Sequence, residues 1–153
     1  MCRENAALIA AQIDVAFREQ AYPAGPLVAD TYDDEGITDY FTGKPWTAHS
    51  PEALRQRESA LCFFSDEAFC YFLPAYMHAV LLTPERADVI VDVLQAVLLP
   101  PKADLSRPAF ARKWQRFSPA QKQVIVLFLL AIRAETSSDA ALVALAADAG
   151  LAI

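Results

Sequence analysis

The sequence predicts an all-α fold, and three observations carry that prediction. Alanine and leucine are abundant while glycine occurs only four times, a balance that favours helix over sheet. A hydroxyl residue precedes proline at Ser50-Pro51, Thr83-Pro84 and Ser118-Pro119, so each pair offers an N-cap followed by proline at the first helical position. Apolar residues recur at helical spacing, with no strong strand pattern, no repeat and no low-complexity linker. The expected architecture is a single compact bundle of about six or seven helices, one of them kinked at Pro74. It takes up residues 1–153 as one domain.

The elements follow in order. A first helix is expected over about Glu4 to Gln20, because Ile9, Ile13, Ala16 and Phe17 share a face. Pro23 and Pro26 end it and open a loop. Asp33 to Phe41 reads as a short helix stopped by Gly43. Another begins at Pro51 and runs to about Arg57. Ser65, followed by Asp66 and Glu67, places negative charge at the start of a longer apolar helix that reaches Leu82. Pro74 lies inside it, removes one backbone hydrogen bond and predicts a kink near Cys70 to Pro74.

Pro84 to Leu98 reads as one amphipathic helix, with Ile90, Val93, Leu94, Val97 and Leu98 opposite Glu85, Asp88 and Asp92. Pro100 and Pro101 stop it. Lys102 to Phe117 is less regular, with one helical stretch expected over Pro108 to Arg116. Ser118 and Gln121 form a capping-box pattern ahead of Pro119 to Ala134, whose centre is apolar all round and so predicted to be the most buried helix. A last helix runs from about Ser138 to Ala149 and ends at Gly150.

A chain of 153 residues buries roughly two-thirds of its unfolded surface and needs neither metal nor disulfide to fold. Its net charge of −6 repels phosphate backbones and argues against general nucleic-acid binding. Cys2, Cys62 and Cys70 are too few and odd in number for a disulfide framework. No signal peptide is recognised, and the longest apolar run, Val124 to Ile132, is about half a bilayer span. The expectation is a soluble cytoplasmic protein, without membrane or nucleic-acid partners.

The segment Phe63-Phe64-Ser65-Asp66-Glu67-Ala68-Phe69-Cys70-Tyr71-Phe72-Leu73-Pro74-Ala75-Tyr76 resembles an uncharacterised bacterial domain family of unknown function, with a central F-x-S-x-E-A-F-x-Y-F-L-P-A-Y signature. Asp30-Thr31-Tyr32-Asp33-Asp34, Phe41-Thr42-Gly43-Lys44-Pro45-Trp46, Pro100-Pro101 and Phe117-Ser118-Pro119-Ala120-Gln121 are similar to it as well. The resemblance covers roughly residues 5 to 132. It implies a helical domain of this size and supplies no reaction, cofactor or catalytic residue. Small acidic proteins of this kind are often encoded beside toxins, which is its one functional lead.

Four groups of residues could carry chemistry. Asp30, Asp33, Asp34, Glu35 and Asp39 form an acidic cluster with Tyr32, Tyr40 and Trp46 close by. Carboxylates can ligate a hard cation, but Gly36 directly follows three acids and the ligand order of a calcium loop is absent. A solvated loop and a protein-binding surface are the other readings, since aromatics beside charge make up interaction hot spots. Lys102, Arg107, Arg112, Lys113 and Arg116 form a basic segment, opposed only by Asp104. The helix that follows is too apolar to read base edges, so the segment reads as a solvated loop, with pairing to the acidic segment one option.

Cys70 and His78 lie two turns apart on one helix, too far for a direct bond unless Pro74 distorts it strongly. His49 reads as a loop residue near a helix start. The aromatic run Phe63, Phe64, Phe69, Tyr71, Phe72, Tyr76 marks the central core helix or, in part, a hydrophobic groove.

The expected function is a protein-binding module of the immunity type that neutralises a bacterial toxin. Its partner-binding residues are Asp30, Tyr32, Asp33, Asp34, Glu35, Asp39, Tyr40 and Trp46. No catalytic residue, metal ligand or cofactor is assigned, and enzyme activity is not the favoured reading. The alternatives are a small hydrolase or transferase using Cys70, His78 or the acidic cluster, and a self-associating scaffold. The sequence leaves the oligomeric state open.

Overall fold

The computed structural model describes residues 2–29, 34–87, 89–133 and 140–153. Among them the chain is all-α, with ten α-helices, one 3-10 turn and a single isolated bridge. The long elements are α1 (Arg3–Phe17), α5 (Asp66–Leu82) and α9 (Pro119–Ile132). Shorter ones are α2 (Ile37–Phe41), α3 (Pro51–Arg55), α4 (Ala60–Phe63), α6 (Pro84–Ala87), α7 (Ile90–Leu98), α8 (Arg107–Gln115) and α10 (Ala140–Asp148). The 3-10 turn, Asp104–Ser106, leads into α8.

Helix α5 is the axis of the molecule. Thirteen of its seventeen residues are buried, from Ala68 to Leu81 with only His78 partly open. Helix α1 packs on α5 and α9, α3 packs on α5 and α6, α7 crosses α5 and α4, and α8 lies against α5. A helix enclosed this way needs no polar face, which is why its apolar residues run almost without interruption. The expectation that α9 would be the most buried helix is corrected here: α9 buries six residues and leaves Leu127 and Leu130 half-open. Helix α5 runs as one element through Pro74, whose ring is buried in the core.

Two of the three hydroxyl–proline pairs act as predicted. Ser50 Oγ accepts from the Ala53 amide, and Ser118 with Gln121 forms a complete capping box. Thr83 differs. Its hydroxyl donates back to the Ala79 carbonyl, 2.9 Å away, and closes α5 instead of opening the next helix. The single helix expected over Pro84 to Leu98 is accordingly two. Helix α6 packs on α3 and α5, whereas α7 packs on α5 and α4. Arg86 of α6 pairs with Glu52 of α3 and holds the first of the two in place.

The short helix expected from Asp33 begins later, at Ile37. Glu35 and Gly36 are both left-handed, with φ of 57° and 78°, which no right-handed helix admits. Upstream of α5, residues 27–29 run antiparallel to residues 63–65, with Ser65 N–H donating to Leu27 O at 2.8 Å and Ala29 N–H to Phe63 O at 3.1 Å. At the other end, Trp114 Nε1 and Lys122 Nζ both donate to Asp148, tying α8 and α9 to α10.

Candidate functional site

Asp30, Tyr32 and Asp33 lie outside the described residues. The rest of the predicted binding segment is a loop and a one-turn helix with two distinct sides. Asp34 is used locally: its carboxylate accepts from the Gly36 amide at 3.0 Å and the Thr38 amide at 3.1 Å. Hydrogen bonds from Thr38 hold that carboxyl below the usual range. Glu35 is exposed and accepts from the Ser59 hydroxyl at 3.0 Å. Asp39, on α2, is exposed.

The aromatics of the segment turn inward. Trp46 is only 8% exposed, its amide donates to the Tyr71 hydroxyl, and its ring meets His78 edge-on at 5.5 Å. Tyr40 is half-buried, its hydroxyl 3.1 Å from His49 Nδ1 and its ring within 4.0 Å of Lys44 Nζ and 3.6 Å of the Arg57 guanidinium. Both rings fasten the segment to the core, while Glu35 and Asp39 are exposed.

Part of the basic segment is paired close to home. Arg107 pairs with Asp104, Arg112 pairs with Asp66 at the start of α5, and Lys113 Nζ sits 4.7 Å from the Phe69 ring. No ion pair joins it to residues 34–46 among the described residues.

Cys70 and His78 point to different helices. Cys70 is buried, its thiol 3.7 Å from the Lys113 carbonyl at α8, and burial pushes its pKa up to about 12. His78 faces α1, with Nε2 3.2 Å from Ala10 O and 3.1 Å from Asp14 Oδ1. The two therefore form no nucleophile–base pair. Among the described residues no group of three His, Cys, Asp or Glu side chains is placed to hold a metal ion.

What the sequence did not suggest is that both histidines border one pocket. A cleft of about 370 Å³ opens between residues 46–54, the C-terminal half of α5 and Asp14 of α1. Leu54, Ala75, Ala79 and Leu82 form its apolar wall; Asp14, Thr47 and His78 supply polar groups, and His49 borders it. Nε2 of His78 stands between a carbonyl and a carboxylate, both acceptors, so a proton sits on that nitrogen. His49 is different: its Nε2 is fully buried without a partner, walled in by the rings of Phe41 and Phe72. No spacing in the chain announces this pocket, because Asp14, Trp46 and His78 come from three separate segments.

No curated protein and no solved structure shows a match to the chain. No helix among the described residues is long and apolar enough to cross a membrane. A family model described as a family of unknown function (DUF6714) matches residues 6–149, nearly the whole chain, and the chain belongs to that family.

Proposed function

We propose that this chain is a protein-binding module of the immunity type, which neutralises a toxin by covering it. The observation that carries the reading is the build of residues 34–46. Trp46 and Tyr40 pin the segment to the core, Asp34 holds its turn, and Glu35 and Asp39 are exposed on its outer side. A surface already fixed before contact loses little conformational freedom on binding. The net charge of −6 steers such a surface toward a basic partner. Cys2 and Cys62 are free and exposed, which suits a compartment that keeps thiols reduced, so the proposed place of action is the cytoplasm.

Expressing the protein encoded beside this chain's gene, with and without the chain, tests the reading in cells. The neighbouring protein alone should stop growth, and co-expression of the chain should restore it. Arrested growth in both cultures, or a neighbour that is harmless, contradicts the proposal.

A further inference from the structure

We infer that the cleft bordered by Asp14, Trp46 and His78 binds a small organic cation, a protonated amine carried on an apolar body. The inference does not depend on the toxin-neutralising reading. At about 370 Å³ the cleft lies within the size range of small-molecule pockets, and its wall is apolar in the manner of such sites. Leu54, Ala75, Ala79 and Leu82 would enclose the body of the ligand.

Its polar groups select the charge. Asp14 is the one carboxylate in the lining, and no lysine or arginine lines it. The Asp14 side chain is 52% exposed, so it is open to a ligand while it accepts from His78. Trp46 and His78 line the cleft beside Asp14, their rings meeting edge-on at 5.5 Å. The Asp14 carboxylate only accepts, and with no lysine or arginine in the lining this favours a donor-rich ammonium over a carboxylate or phosphate. Partial burial of the site strengthens that preference, since an anion would sit beside Asp14 with no cation to offset it.

Three probes of equal size separate the charges: benzylamine, benzyl alcohol and benzoate, each titrated while the indole N–H resonances of the two tryptophans are followed by NMR. Trp114 is an internal control, because its Nε1 already donates to Asp148 at 2.7 Å. Benzylamine should move the Trp46 resonance saturably and leave Trp114 in place. It should bind about fivefold tighter than benzyl alcohol, as an exposed ion pair allows, while benzoate leaves Trp46 unmoved. Asp14→Asn keeps an acceptor for His78 and should erase the margin between amine and alcohol. The inference is overturned if benzoate matches benzylamine, if Trp46 does not move or moves only together with Trp114, or if the margin survives in Asp14→Asn. Should the variant fail to fold, the three-probe series on the unaltered chain still decides.

Discussion

Single side chains decide where helices start and how the fold responds to pH. The Ser118–Gln121 box satisfies two backbone N–H groups at the start of α9, and the Gln121 amide also reaches the Ala16 carbonyl of α1 at 3.2 Å. Ser118→Ala should cost about 1 kcal/mol in urea denaturation. Ser50→Ala, which removes a single capping bond with no second partner, should cost less. His49 sets the pH response. Burial first, then the nearby Lys44 charge, lowers its pKa to about 4 from the ordinary value of 6.5. A base with a depressed folded pKa binds fewer protons folded than unfolded, so stability is full above about pH 6.5 and falls as the pH drops toward 4. Thermal melts across that window should show the loss, and His49→Phe should flatten it; an unchanged slope in the variant would assign the effect elsewhere. Thiol reactivity follows burial in the same way. Iodoacetamide near neutral pH should label Cys2 and Cys62 and spare Cys70, which mass spectrometry of the intact and digested chain reads directly.

At the scale of elements, helix α5 carries the fold. Phe72 is fully buried and meets Tyr22, Phe41, Phe64, Tyr71 and His49 ring to ring. Phe72→Ala should therefore destabilise by about 3–5 kcal/mol, measured by urea denaturation. The position of α5 was legible in the sequence, because a cap at Ser65 and an unbroken apolar run are local signals. So were α1, α8 and α9, each marked by periodicity or by proline at its start. The division of Pro84 to Leu98 into α6 and α7 was not legible, because the apolar spacing runs through both helices without a break. The late start of α2 was hidden for a related reason. Asp34 looked like the first turn of a helix, yet it folds its side chain onto Gly36 and Thr38 and caps a turn. For the binding segment, the sequence showed aromatics beside carboxylates without showing which way each faced. Trp46 and Tyr40 are drawn inward by Tyr71, His78 and His49, partners as many as thirty-two residues away.

For the whole molecule, a capped helical scaffold carries the described part of the acidic segment with Glu35 and Asp39 exposed. Tyr40 and Trp46 already serve the core, so what the described part of the segment offers a partner is the charge of Glu35 and Asp39. That makes Asp39 informative: it is exposed, it belongs to the predicted binding residues, and no hydrogen bond or ion pair engages its side chain among the described residues. Reversing its charge tests binding without disturbing the fold. The decisive measurement is calorimetric titration of the unaltered chain and of Asp39→Lys with the protein encoded beside the chain's gene, with thermal melts of both. The proposed function predicts tight binding by the unaltered chain, a melting temperature nearly equal in the two, and a loss of about 1 kcal/mol or more in the variant. Undiminished binding by Asp39→Lys, or no binding by either, would contradict it.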